Sequence, residues 1–399
     1  MKDRKKSAMA FIMLIGILSL FSDMTHEGAR SILGPYLKLL GASAAAIGFV
    51  SGLGEFIGYA FRLITGFISD KTQKYWTMTI IGYAFNLVAI PLLAFVPENG
   101  WKYACGLLII ERFGKAIRYP AKNTLTSFAA KEVGVGKGFA IQEALDQIGA
   151  FLGPVMLFII MTLRNGSDSY SNYVVCFLAL GIPAIITFGI LLACRYLYPK
   201  PEEFDTSEID NKKLSVNKAY RFYIIAIAFV AAGFADFPLI GYHIAKNQLF
   251  DENFIPILYS LAMGVDAFSA LFFGALYDKK GINAIIIASV ISLFFAPFVF
   301  LSGNPVFVII GISLWGIGMG AQESILKSAI ATIITKDKRA MAYGIFNTGF
   351  GIFWFLGSWF MGIVYDKSII LLISFSMVMQ CASIPFFIMT KKKLALKPN

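Results

Sequence analysis

The sequence predicts an all-α integral membrane protein of twelve transmembrane helices, arranged as two pseudo-symmetric six-helix bundles, and three observations predict it. Hydrophobic residues fill 57% of the 399 positions and charged residues only 15%, with a mean hydropathy of +0.70, a composition outside the soluble globular range. The apolar runs reach the roughly 20 residues that a helix needs to cross the hydrocarbon core, and none alternates with the period of two that barrel strands require. The third observation is a repeat. A polar turn, Gly66-Phe-Ile-Ser-Asp70-Lys71-Thr-Gln-Lys74, ends one apolar run, and Gly274-Ala-Leu-Tyr-Asp278-Lys279-Lys280-Gly281 ends another in the second half of the chain.

Read between breaks, the spans fall near 8–38, 44–68, 76–96, 101–124, 138–163 and 171–197, then 219–245, 253–277, 282–302, 304–332, 340–365 and 367–390. Residues 1–197 form an N-terminal bundle and 219–399 a C-terminal bundle. Between them 198–218 is polar, with Pro199 and Pro201, and reads as a cytoplasmic linker. The repeat extends further: Phe151-Leu152-Gly153-Pro154 in the fifth span answers Phe355-Leu356-Gly357-Ser358 in the eleventh, and Asp23 and Asp236 sit in the middle of the first span of each half. Repeats of this size without enzymatic motifs are the trace of carriers that rock one half against the other around a central site.

The net charge of +11 comes from bases spread between spans rather than gathered on a soluble face, so no nucleic-acid partner is expected. They concentrate in alternate loops, from Lys2–Lys6 and Lys71/Lys74 to Lys391–Lys397, which is the bias of cytoplasmic loops. Both termini are expected in the cytoplasm and the chain in the cell membrane. The first residues imitate a signal peptide, but the apolar segment continues through Asp23 to Arg30 as a span, so no cleavage is expected. Cys105, Cys176, Cys194 and Cys381 all lie in apolar runs and read as buried thiols.

An ionisable side chain at membrane depth is costly unless paired or wetted, so each is a functional candidate. In the first span Asp23, Glu27 and Arg30 fall at i, i+4 and i+7, with His26 beside them. These spacings put them on one helical stripe. Glu55, Tyr59 and Arg62 repeat the pattern in the second span. In the fourth, Glu111, Lys115, Arg118 and Lys122 form a longer stripe with Arg112 next to it, and the fifth adds Gln142, Glu143, Asp146 and Gln147. The signs are balanced, so the stripes can neutralise one another; part of them is expected to be structural ion pairs, and Arg62 and Lys122, near the cytoplasmic helix ends, are expected to be snorkelling or structural. The second half offers Asp236, His243, Asp266, and Glu323 with Lys327.

The polar turns follow the pattern Gly-x-x-x-Asp-Lys/Arg-x-Gly-Lys/Arg and resemble the loop between transmembrane helices 2 and 3 of the major facilitator superfamily, repeated in that family between helices 8 and 9. Gln73 stands at the usual glycine and Tyr75 at a usual base, while Ile282 and Asn283 replace bases in the second copy. The resemblance implies the major facilitator fold, close packing at Gly66 and Gly274, and a cytoplasmic gate held by Asp70 and Asp278 with Lys71, Lys74 and Lys279. Glu111-Arg112-Phe-Gly-Lys-Ala resembles the helix-4 motif Arg-x-x-Gln-Gly, with Lys115 at the glutamine and Ala116 at the glycine. It implies a part in proton transfer for Arg112, with Glu111, Glu143 or Asp146 as carboxylate partner. Ala140, Gly149 and Gly153-Pro154 look like the helix-5 glycine pattern of the family's antiporters, which implies close helix packing and export by exchange.

These readings converge on a proton-coupled secondary transporter that exports a small organic solute by alternating access. The expected solute contacts are Asp23, Glu27, Arg30 and Asp236 with Tyr36 and Phe237. The alternatives are proton symport or import, an organic anion held by Arg30, Lys115 and Arg118, and divalent-metal export through Asp23, His26, Asp236 and His243. No nucleophile stands beside a histidine and an acid and no glycine loop cradles a phosphate, so an enzyme is not expected. Nor is a cofactor, a resident metal or an oligomer: the partners expected are the solute, protons and the bilayer around a monomer.

Overall fold

A computed structural model describes residues 2–204, 218–334 and 339–395, and all regular structure among them is helical. The helices are α1 (Lys2–Leu39), α2 (Ala44–Thr72), α3 (Tyr75–Leu92), α4 (Trp101–Val133), α5 (Val135–Leu163), α6 (Ser169–Ala179) and α7 (Gly181–Leu197). They continue with α8 (Lys218–Gly233), α9 (Phe237–Lys246), α10 (Ile255–Lys280), α11 (Ile282–Ser292), α12 (Phe295–Phe300), α13 (Pro305–Ile333), α14 (Arg339–Tyr365) and α15 (Ile369–Ala395). Eleven helical stretches are long and apolar enough to cross a membrane. The twelfth is α4, whose 33 residues span about 50 Å and carry charge through the middle.

Three of the predicted spans are broken into two helices: α6 and α7 at Leu180, α8 and α9 at Phe234–Asp236, and α11 and α12 at Leu293–Phe294. Each break lies one helical turn before a proline, Pro183, Pro238 or Pro297, whose missing N–H leaves the carbonyl four residues back without its helical donor. The α8–α9 break is rebuilt by side chains. Asp236 caps α9 by accepting from the Phe237 N–H at 2.9 Å, Trp315 Nε1 donates to the Ala235 carbonyl at 2.8 Å, and Ser376 Oγ donates to the Gly233 carbonyl at 2.6 Å.

By contacts the chain groups into two units, Met1–Gly41 with Phe61–Ile209 and Ala42–Ala60 with Asp210–Asn399. In the first, α1 lies against α5 through glycines. A Cβ on Gly149 would strike the Leu20 backbone and one on Gly153 the Met24 backbone, so α5 approaches closer than any larger residue permits. Gly82 and Gly114 do the same between α3 and α4. Phe11, Ile15 and Leu18 of α1 pack with Trp76, Leu87, Leu125 and Leu191 in one apolar cluster.

The opening of the predicted linker belongs to this unit. Tyr198 and Phe204 pack on Phe11, Trp76 Nε1 donates to the Tyr198 carbonyl at 3.1 Å, and Arg4 donates to the Glu203 carbonyl at 2.7 Å. Residues 205–217 of the linker lie outside the described residues.

In the second unit Gly357 of α14 presses on Ala232 of α8, the counterpart of Gly153 on Met24. The early part of α2 packs here as well: a Cβ on Gly52 would come within 2.9 Å of the Phe355 Cα, and one on Gly48 within 3.1 Å of the Gly362 Cα. This contact is why residues 42–60 group away from the rest of the predicted first bundle. Cys105, Cys176 and Cys194 are buried, but Cys381 is exposed on α15, because the lipid-facing side of a span is as apolar as its core and the sequence does not separate them.

Candidate functional site

The charged stripe of α4 faces α1, and the two helices run past each other in opposite senses. As numbers rise along α4 from Glu111 to Lys122, their partners on α1 fall from His26 to Ser19. The result is a ladder inside the first unit, covering about 16 Å of α1 between Ser19 and Arg30.

The upper rungs centre on His26, which is 3% exposed. Its Nδ1 lies 2.8 Å from Glu111 Oε1 in a bent contact, while its Nε2 receives Lys115 Nζ at 2.9 Å and Arg112 at 3.5 Å. Arg112 also pairs with Glu111 Oε2 at 3.3 Å, and Glu111 accepts from the Asn86 amide of α3. Glu27 bridges outward, 3.6 Å from His26 Nε2 and 3.6 Å from Arg30.

The lower rungs hold Asp23, Arg118, Lys122 and Asp146. Arg118 donates to the Tyr83 hydroxyl at 3.1 Å with its guanidinium 4.4 Å from the ring centre, and stands 4.0 Å from Asp23. Lys122 Nζ donates to Ser19 Oγ at 2.6 Å and lies 3.9 Å from Asp146 of α5. Of the two roles expected of it, snorkelling and structural, Lys122 takes the structural one. It is 3% exposed, because Ser19 and Asp146 satisfy the ammonium in place. Arg62, read the same way, stacks 4.0 Å over the Tyr119 ring.

The structure gathers Asp23, His26, Glu27, Arg30, Glu111, Arg112, Lys115, Arg118 and Asp146 in this one ladder. Glu143 is exposed and meets Gln147 Nε2 at 3.5 Å; the next turn of α5 turns Asp146 inward instead. Asp236 belongs to the second unit, where it is 2% exposed and caps α9. Asp23 stands inside an unbroken helix, so the two aspartates do not play matching parts.

Tyr36 and Phe237, expected as solute contacts, lie in the packed interior of their units. Both are fully buried, Tyr36 donating to the Leu93 carbonyl at 2.7 Å and Phe237 packing on Tyr259 and Trp315. His243 is held by Tyr365 Oη at 2.8 Å and by Asn247. Sequence reasoning missed Ser19, Tyr83 and Asn86. Ser19 and Asp23 are one turn apart, which was a legible signal; Tyr83 and Asn86 on the apolar α3 gave none.

At the polar turns Asp70, Lys71, Lys74, Asp278 and Lys279 are exposed. Gly66 would meet only Pro120, at 3.6 Å, and Gly274 has open space around a Cβ, so neither glycine is fixed by close packing. The turns share a positive φ instead. Gln73 has φ 53° and Gly281, its counterpart, φ 54°, the left-handed region that favours glycine. On α5, Gly149 and Gly153 hold the approach to α1 and Pro154 continues the helix.

The model of the Major Facilitator Superfamily matches residues 8–358 and 224–393. An uncharacterised protein of Mycobacterium tuberculosis is 34% identical over 369 residues, covering 91% of this chain and 88% of that one. An uncharacterised MFS-type transporter of Methanocaldococcus jannaschii is 29% identical over 367 residues, covering 88% and 86%. Among solved structures, a mutant of the nucleoside transporter NupG superposes with a TM-score of 0.75 at 15% identity, covering 94% of this chain and 100% of that one. A POT family transporter in complex with 5-aminolevulinic acid gives 0.73 at 12% identity, covering 96% of each. With eleven helical stretches among the described residues long and apolar enough to cross a membrane, and a family model matched along nearly the whole chain, the chain belongs to the major facilitator superfamily and is a multi-pass membrane transporter of the secondary type.

Proposed function

We propose that this transporter is driven by protons and carries a small organic solute by alternating access, with the α1–α4 ladder as its coupling element. The observation that carries the reading is His26, buried with one ring nitrogen against a carboxylate and the other against an ammonium. Imidazole is the side chain whose unperturbed titration lies nearest neutral pH, and here a change in its proton alters both contacts, the one with the carboxylate and the one with the ammonium. Asp23, Asp146 and Arg112 stand within the same ladder, so a proton entering at one rung alters the field at the next. Both termini in the cytoplasm complete the reading, on the strength of the basic loops.

Export by exchange rests on the helix-5 glycines, whose packing against Leu20 and Met24 accounts for them without reference to direction. Co-transport is the second reading, favoured by the Lys115–His26 contact, which a second proton on the imidazole would break. Divalent-metal export gains no support, since each imidazole is already engaged by protein groups. Fold does not choose the solute: the structural neighbours include a nucleoside transporter and a transporter solved with 5-aminolevulinic acid.

The test is reconstitution into liposomes with a pH-sensitive dye inside and a panel of metabolites outside. Proton movement that follows addition of a solute, and solute flux abolished by a protonophore, are expected. Solute flux indifferent to the pH gradient would overturn proton coupling.

A further inference from the structure

The two broken spans of the second unit end in one hydrogen-bonded network. Gly233 is the last residue of α8 and Ser292 the last of α11. The Gly233 carbonyl accepts from Ser376 Oγ at 2.6 Å and from Gln380 Nε2 at 3.4 Å, and Gln380 Oε1 accepts from Ser292 Oγ at 3.1 Å. The Ser292 hydroxyl has thus given its proton and keeps lone pairs with which to accept.

The network stops short of α13. This helix runs past α11 and α12 in the opposite sense: a Cβ on Gly311 would lie 2.8 Å from the Val299 nitrogen, and one on Gly318 2.8 Å from Ser292 Cβ. One turn onward along α13 and one turn back along α11, this register sets Gln322 opposite Ser289. Both are buried, each 8% exposed, and Gln322 Oε1 accepts from no donor among the described residues. A buried carbonyl oxygen in that position is expensive.

Between these helices lies a cavity lined by Ser289, Ser292 and Gln322 and by apolar side chains that include Val230, Ile285 and Ile325. Every residue lining it is buried. It gives the centre of a water molecule about 10 Å³ of room, enough for one water and too little for an organic solute. No acid or base lines it, so a cation held there would be unneutralised at membrane depth.

We propose that this cavity is a binding site for one water molecule, which donates to Gln322 Oε1 and Ser292 Oγ and accepts from Ser289 Oγ. Three polar partners are what an internal water ordinarily holds. The water carries the network from the α8–α9 break through Gln380 and Ser292 to α13, so both broken spans are braced on a continuous helix. The site is independent of which solute is carried and of what drives it.

The direct test is a crystal structure of the full-length protein grown in lipid, at a resolution that orders internal waters elsewhere. A single peak about 2.8 Å from Gln322 Oε1, within the same reach of Ser289 and Ser292, is expected. No peak there, or one with the short oxygen distances of a metal ion, would overturn the proposal, and this arm holds whether or not any variant folds.

Thermal unfolding of the purified protein reads the same bond by its sign. Methionine matches glutamine in length without its polar end. Were the oxygen simply unpaired, Gln322→Met would relieve it and raise the midpoint; with water bound, the variant strands the water and Ser289, and a fall of about 2–4 °C is expected. Ser289→Ala is expected to lower the midpoint as well, and the double variant to lose less than the two single losses together, because both release one water. A rise in Gln322→Met, or fully additive losses, would sink the shared water. The midpoint is expected to be equal in sodium chloride and choline chloride; a rise specific to sodium that Gln322→Met abolishes would give the site to a cation instead.

Discussion

Lys122 and Arg118 are the residues on which burial bears hardest, because each sits almost fully out of solvent and depends on the carboxylates of the ladder, Asp146 nearest Lys122 and Asp23 nearest Arg118. Removing one member of a buried pair leaves the other uncompensated. Lys122→Met is expected to lower stability by about 3 kcal/mol, read as thermal unfolding in detergent, and adding Asp146→Asn to recover part of the loss. The opposite order, with the double variant worse than the sum of the singles, would show that the pair does not act as one. Tyr83→Phe removes only the hydroxyl that accepts from Arg118 while keeping the ring beneath it, so about 1–2 kcal/mol is expected. The stripes on α1 and α4 were legible as i, i+4, i+7 spacings. Which rung meets which was not, because the offset between two helices is set by how their surfaces interlock and not by either period alone.

At the scale of the element, backbone demands decide. Trp315 Nε1 fills the Ala235 carbonyl in the break before α9, and Trp315→Phe leaves that buried acceptor without its donor at a cost of about 1–3 kcal/mol, measurable as a fall in the unfolding midpoint of purified protein. The two polar turns provide a second comparison. Gly281 has φ 54° and ψ −134°, a conformation closed to residues with a Cβ, so Gly281→Ala is expected to destabilise by about 1–2 kcal/mol. Gln73 already tolerates φ 53°, so Gln73→Gly is expected to be neutral or stabilising by under about 1 kcal/mol. Equal losses at both sites would refute the shared-turn argument. Prolines alone did not reveal the broken spans. Pro35, Pro91, Pro120, Pro154 and Pro385 lie within continuous helices, whereas at the break before Pro238 side chains from other helices take the Gly233 and Ala235 carbonyls.

Across the molecule, the twin six-span organisation recurs in packing detail. Gly153 presses on α1 and Gly357 on α8, so the first helix of each half is gripped at a corresponding glycine. Gly153→Val forces a branched side chain into the Met24 backbone, and loss of folded, monodisperse protein is expected, whereas Gly58→Val, at a position with nothing within 4 Å of a Cβ, is expected to be tolerated; size-exclusion profiles compare the two. The halves are not equivalent in charge. The first unit buries a ladder of acids and bases, while Asp236 in the second serves a helix terminus and Glu323 is exposed. Proton coupling is therefore argued from the first unit.

The sequence alone determined the class, the number and approximate ends of the spans, and the faces on which charges align, because hydrophobic length and helical period are local properties of the chain. Only the tertiary structure decided that Lys122 is buried, that Glu143 is exposed and Asp146 is not, that Tyr36 and Phe237 belong to the core, and that Nε2 of His26 is the nitrogen that meets Lys115. Those depend on the register between packed helices, which is fixed by close approaches at residues such as Gly149 and Gly153 and has no signature within any one of them.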